Sequence, residues 1–188
     1  MVDKRNKNRT DLAIMFGELG FKLGAEIGVR RGDFSETLCI HIKSLVKFYA
    51  VDPWNIVYED KQSRLFGLAR QNRYYEIAKE RLSKYPFCEI VKKTSLEAVR
   101  SIEYESLDFV YIDGSHAFDY VMVDIIEWAK RVKKGGIVSG DDYKPMRSGN
   151  VIAAVDIYVK LHGIKTLNIM EPDKNDAYPI PNWWFIKT

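Results

Sequence analysis

Short apolar runs alternate along this chain with longer stretches of helical spacing, and that alternation predicts most of the fold. Leu12, Ile14, Met15 and Leu19 give a leading helix over residues 11–19, after a basic, polar segment at 1–10 that reads as a loose arm. Leu23, Ala25, Ile27 and Val29 form a first interior strand. Phe34, Leu38, Ile42 and Leu45 share one face of a helix over 34–46. A second strand covers 47–54 and is closed by Pro53, which cannot continue a central strand. Residues 55–66 read as a loop and 68–85 as a long amphipathic helix stopped by Pro86. A third strand at 88–95 and a short helix at 96–102 follow. The run LDFVYI at 107–112 is a fourth strand. A helix over 118–132 then ends at Lys133, Lys134, Gly135 and Gly136, before a fifth strand at 137–139. A helix at 150–162 precedes two last strands at 166–170 and 183–186, with Pro179 and Pro181 in the turn between them.

Strands alternating with helices place the chain in the α/β class. The expected architecture is a doubly wound, mostly parallel, seven-stranded sheet of Rossmann-like form. The last two strands have no helix between them and predict an antiparallel C-terminal hairpin. At 188 residues, with no repeat or linker, residues 1–188 read as one domain, 1–11 being the flexible arm.

Composition narrows the function classes only slightly. The 29 basic and 26 acidic residues nearly balance, which does not by itself suggest nucleic-acid binding; the basic arm at 1–10 is the one feature that favours RNA. No apolar run approaches the ~18 residues of a membrane span. The first ten residues lack the apolar core of a signal peptide, so a cytoplasmic location is expected. Cys39 and Cys88 are far apart and read as thiols in a reducing compartment. A homo-oligomer is compatible with the sequence but not indicated by it.

The chemistry concentrates where strands end. Glu26, Gly28 and Gly32 form Glu-x-Gly-x-x-x-Gly between the first strand and its helix. The glycines permit a sharp turn and close backbone approach. Asp33 or Ser35 can cap the helix, whose N-terminus suits a carboxylate or phosphate. In an open α/β sheet, ligands bind outside the carboxyl ends of the strands. Asp52 closes the second strand, either as a carboxylate for ribose hydroxyls or as a turn residue before Pro53. Trp54 can cover an adenine face or pack in the core. A dinucleotide fingerprint would need glycine where Arg30 stands, and a Walker loop is absent. Asp113, Asp141 and Asp142 end two neighbouring strands, as ligands for a divalent cation or as a cofactor contact and a loop cap. His116 lies three residues past Asp113 and can accept a proton near neutral pH, or cap the next helix.

The segments AEIGVRRGDFS, YAVDPW, LDFVYIDGSHAFDYVMVDIIEWAKRVKKGG and IVSGDDY together resemble the class I S-adenosylmethionine-dependent methyltransferases. More narrowly they resemble the small-molecule O-methyltransferases that act on sugars and macrolides, over residues 24–143. The resemblance implies that Glu26 orders the glycine turn and that Gly28 and Gly32 line the methionine part of S-adenosylmethionine. It implies that Asp52 takes the ribose hydroxyls and that Thr94 and Ser95 lie at the adenine, where an acid often sits in such enzymes. It also implies Mg2+ on Asp113, Asp141 and Asp142, and His116 as general base. The expected reaction is metal-assisted methyl transfer to a hydroxyl of a sugar, glycoside or phenol. The rival readings are an RNA or protein methyltransferase on the same fold, and a nucleoside-binding protein without chemistry. Against an amine-directed nucleic-acid enzyme, the slot after the fourth strand reads Ile112-Asp113-Gly114-Ser115-His116 rather than an Asn/Asp-Pro-Pro-aromatic motif.

Overall fold

The computed structural model describes residues 8–55, 64–145, 150–170 and 180–188, the side chains of 64–66 excepted. Seven strands form one sheet: β1 (Leu23–Ile27), β2 (Lys47–Val51), β3 (Cys88–Val91), β4 (Leu107–Ile112), β5 (Val132–Gly140), β6 (Asn168–Met170) and β7 (Asn182–Ile186). The helices are α1 (Arg9–Glu18), α2 (Asp33–His41), α3 (Arg64–Leu82), α4 (Ser95–Ala98), α5 (Phe118–Ala129) and α6 (Val151–Leu161), with a 3-10 turn at Val99–Ser101. The strand order is β3-β2-β1-β4-β5-β7-β6. The first five strands are parallel, and β7 lies antiparallel between β5 and β6. The doubly wound sheet and the C-terminal hairpin are therefore as the sequence predicts.

Period-two alternation divides the core between the two faces. Phe109 and Tyr111 of β4 pack with Phe16, Leu38 and Phe48 under α1 and α2. Val110 and Ile112 pack with Ile125, Trp128 and Val155 under α5 and α6. The tryptophans of β7 split the same way, Trp183 to the second cluster and Trp184 to the first.

Several boundaries differ from expectation for reasons that lie in hydrogen bonding. The leading helix starts at Arg9, inside the segment read as an arm. Asn8 caps it, accepting from the N–H groups of Thr10 (2.9 Å) and Asp11 (3.1 Å), while its own N–H donates to the Asp11 carboxylate. The second helix ends at His41 rather than residue 46, because Val46 N–H is drawn onto the Lys22 carbonyl (2.9 Å) to begin β2 beside β1. The third strand stops at Val91, and Thr94 and Ser95 belong to the start of α4. Lys133 to Gly136 are not a helix end. Arg131 gives its carbonyl to Leu107 N–H (2.8 Å), so β5 already begins at Val132, and the register shifts between Leu107 and Phe109. The loop expected at 55–66 and the Pro179 part of the last turn lie largely outside the described residues.

Candidate active site

Acids gather at the carboxyl ends of β1, β2, β4 and β5, around the point where the strand order reverses. Glu26 of β1 is 1% exposed and accepts the hydroxyl of Ser35 from the first turn of α2. Burial pushes its carboxyl up to about 8. Gly28 follows with φ 94°, and a Cβ there would sit 2.0 Å from the Asp113 carbonyl. The close approach that this glycine permits is thus to the end of β4. Gly32, at φ 76°, is itself the N-cap of α2 and makes no side-chain cap bond. Neither expected cap serves: Ser35 is committed to Glu26, and Asp33 pairs with Arg31 (3.1 Å) and Arg81.

Glu26 gives a stability prediction. Its carboxyl titrates higher in the folded chain than its ordinary 4.5, so the folded state holds the proton longer. Stability is complete below about pH 4.5 and falls as pH rises towards about 8. Glu26→Gln keeps an acceptor for Ser35 and removes that charge. At alkaline pH it should be more stable than the parent by roughly 2–4 kcal/mol, with little difference near pH 5. Denaturant unfolding across that range measures it, and a pH-independent difference would refute it.

Asp52, directly after β2, accepts Arg30 N–H on Oδ2 (2.9 Å) and Trp54 N–H on Oδ1 (2.7 Å). Burial still pushes its carboxyl up against these bonds. Trp54 corrects an expectation. It is 1% exposed at φ 40°, its indole N–H donates to the Arg30 carbonyl (2.7 Å), and its ring packs on Tyr75. The ring is core and anchors the β1–α2 turn, so it has no free face for an adenine. Arg30 in turn lies over the Tyr74 ring.

Thr94 and Ser95 are also engaged. Thr94 caps α4 in a reciprocal bond with Glu97. Ser95 donates to Asp124 of α5 and accepts from the Trp128 indole (2.8 Å).

On the other side of β1, Asp113 follows β4 and lines a small open hollow with His116, Asp141, Val121, Val151 and Trp183. The Asp113 carboxylate accepts no hydrogen bond among the described residues. Burial raises its pKa well above the ordinary range, and the charges of Asp141, Glu26 and Asp142 add to that. His116 Nε2 lies 2.7 Å from Asp142 Oδ2, and Lys144 Nζ 3.2 Å from Oδ1. The bond to Asp142 raises the His116 pKa. Burial alone would raise the Asp142 carboxyl, but His116 and Lys144 outweigh it and hold it below its ordinary value. Asp142 adopts φ 60°, and its N–H donates to Asp141 Oδ1 (2.8 Å). Asp141, pushed up to about 6 by burial, thereby fixes its neighbour's backbone.

Among the described residues, the three side chains whose donor atoms could converge on one ion, all within 4.8 Å of one another, are Asp113, His116 and Asp142. The expected trio of Asp113, Asp141 and Asp142 is not the one brought together. Asp141 turns to its neighbour's N–H because β5 has ended, and His116 stands in its place. Arg9 and Lys144 escaped the sequence reading. Burial alone would lower the Arg9 pKa, but the charges of Tyr111, Asp141, Asp113 and Glu26 raise it, and its guanidinium lies over Phe34. The Asn8-x-x-Asp11 pattern was the available sign that Arg9 opens a helix.

Residues 25–143 match a family model described as a methyltransferase domain, which is more than half of the chain. The chain belongs to that methyltransferase family. Solved methyltransferases share its fold. The O-methyltransferase from Bacillus cereus in complex with SAH aligns with TM-score 0.65 at 14% identity, over 98% of this chain and 83% of that one. TomG, an O-methyltransferase from Streptomyces achromogenes in complex with SAM, aligns with TM-score 0.64 at 15% identity, over 96% and 79%. An rRNA methylase from Streptococcus thermophilus gives TM-score 0.66 at 14% identity, over 100% and 98%. In sequence, the protein y4gI of Sinorhizobium fredii, described as uncharacterized, is 25% identical over 101 residues. Those cover 54% of this chain, which spans only 10% of that protein's length. This methyltransferase domain has no helix, among the described residues, long and apolar enough to cross a membrane.

Proposed function

We propose that the domain transfers a methyl group from S-adenosylmethionine to a hydroxyl of a small molecule, a sugar, glycoside or phenol, with help from a divalent cation. The observation that carries this reading is the Asp113 carboxylate, without a hydrogen-bond partner among the described residues, beside the His116–Asp142 pair in an apolar-walled cleft. When bound, the donor supplies a sulfonium methyl open to in-line attack, and a divalent cation acidifies a hydroxyl.

The donor set fits such a cofactor. Asp113 offers a carboxylate to an ammonium group. Asp52 uses one lone pair of each oxygen on a backbone N–H and keeps capacity for ribose hydroxyls. Asp113, His116 and Asp142 would hold the cation. Two oxygens and one nitrogen suit Mn2+ or Fe2+ as well as Mg2+, a broader choice than three carboxylates would give. Val121, Val151 and Trp183 give the acceptor side apolar walls.

A second reading follows from the 2.7 Å bond itself. Without a cation, Asp142 orients His116 and supports its positive charge, and the imidazole takes the acceptor's proton as general base. The two roles exclude each other at Nε2: as base, the ring donates its Nε2–H to Asp142 and takes the proton on Nδ1, whereas a cation at Nε2 requires that nitrogen to carry no hydrogen.

The test of the donor is calorimetry with S-adenosylhomocysteine on the parent and on Asp52→Ala. The parent should bind it and ignore nicotinamide dinucleotides. The variant should lose roughly ten- to a hundredfold in affinity, the worth of a charge-assisted hydrogen bond. An unchanged affinity would make Asp52 a turn residue only. Absence of binding to the parent would remove the donor assignment.

A further inference from the structure

We infer that Arg9 selects the acceptor, its guanidinium taking a carboxylate that the acceptor carries beside its reacting hydroxyl. The inference rests on the methyl transfer proposed above and narrows the substrate class to hydroxy acids, a uronic acid or a phenolic acid.

Arg9 is the first residue of α1, directly behind the Asn8 cap. A cation there stands at the positive end of the helix dipole, where acids are favoured, so the helix does not account for it. Its guanidinium lies 5.5 Å over the Phe34 ring, and Phe34 packs on Tyr111 with centroids 4.3 Å apart. That stack brings the charge to the face of the sheet covered by α1 and α2. Tyr111 pairs in register with Glu26 on one side and Ser139 on the other. Two residues further along each strand stand Asp113 and Asp141, at the tips of β4 and β5. Asp141 comes first among the carboxylates whose charges act on Arg9, before Asp113 and Glu26. Asp141 and Asp113 line the acceptor hollow, while the charge of Arg9 does not act on Asp52 at the ribose end.

In this field of acids Arg9 nevertheless makes no hydrogen bond or ion pair among the described residues. The acids are committed elsewhere: Glu26 accepts the Ser35 hydroxyl, and Asp141 accepts its neighbour's N–H (2.8 Å). The other cations near the site are engaged too. Lys144 is spent on Asp142 (3.2 Å), and Arg31 on Asp33 (3.1 Å). Arg9 is exposed, so a ligand reaches it without displacing a protein group. A guanidinium keeps five donors in a planar fork that matches a carboxylate two bonds at a time. A phosphate dianion would meet the same three acids with twice the charge, so a single carboxylate is the better fit.

The test is a ratio of kcat/KM within matched acceptor pairs that differ only by the carboxylate. The pairs are 3,4-dihydroxybenzoate with catechol, and the methyl glycosides of glucuronic acid and of glucose. The parent should prefer the acid of a pair by at least about tenfold. Arg9→Gln removes the charge on a residue type that suits a helix, and should bring the ratio to one or below, because the remaining acids repel the carboxylate. Arg9→Lys keeps the charge without the fork and should retain about threefold. An arginine that only holds α1 in place would lower both acceptors equally and leave the ratio untouched. A parent ratio near one, or an undiminished ratio in Arg9→Gln, overturns the inference while methyl transfer stands. The donor carries a carboxylate of its own, so calorimetry compares S-adenosylhomocysteine with 5′-methylthioadenosine, which lacks it. Arg9→Gln should bind both as the parent does. A loss confined to S-adenosylhomocysteine would assign the guanidinium to the donor and overturn the inference. If the parent methylates no small hydroxyl compound, acid or neutral, the proposed function fails and this inference falls with it.

Discussion

His116→Ala should lower methyl transfer by roughly two to four orders of magnitude while leaving donor affinity unchanged. The ring lies on the acceptor side, against Asp142, while Asp52 stands at the end of β2, two strands away from β4. Both readings of the site need the imidazole neutral, to hold a cation or to take a proton. The Asp142 bond raises the His116 pKa above its ordinary 6.5. The rate should therefore fall as pH drops, with its midpoint above about 6.5 rather than at it. Asp142→Asn removes the negative partner, so the midpoint should move down towards the ordinary value in whatever activity remains. Full activity in His116→Ala would eliminate the ring from the chemistry. A midpoint that ignores Asp142→Asn would show that another group is titrating. A screen of sugars, glycosides and phenols with homocysteine release as readout supplies the acceptor for these assays.

The sheet was legible because its strands carry their own signal. LDFVYI alternates faces and ends on Asp113, and the structure gives its bounds as read. The terminal hairpin followed from its short, helix-free connection. The misplaced boundaries share one cause, hydrogen bonds that periodicity does not see. Asn8 starts a helix in a polar segment, and the Arg131 carbonyl turns a helix end into a strand start. At the site, residue types were legible but side-chain commitments were not. A sequence shows that Trp54 is near Asp52, not that its indole is spent on the Arg30 carbonyl. It shows two adjacent aspartates, not that the left-handed backbone of Asp142 sends it to His116 while Asp141 holds its N–H. Arg9 went unread because it reaches the acids of the site across the fold, from a helix whose pattern speaks only of packing.

The cation itself should decide between the two readings, and its removal should have the larger effect. Asp142 is neutralised in the chain alone by His116 and Lys144, so a divalent ion must displace both contacts and be repaid by Asp113 and Asp142 together. That makes Asp113 indispensable for the ion. Asp113 is also penalised for its charge, by burial first and then by Asp141, Glu26 and Asp142, a field that two added positive charges would relieve. Excess chelator should therefore reduce turnover by at least about a hundredfold, with recovery on adding back Mn2+ or Mg2+. Asp113→Asn should bind Mn2+ far more weakly in a titration that needs no acceptor or donor. Asp52→Ala, whose change lies at the donor, should bind it normally. The unloaded parent should also show a raised His116 pKa by NMR, and Mn2+ or Mg2+ should hold the ring neutral to lower pH, because a protonated nitrogen cannot coordinate. A full rate in chelator, with Asp113→Asn active, would leave the His116–Asp142 pair working alone as base and orienting acid.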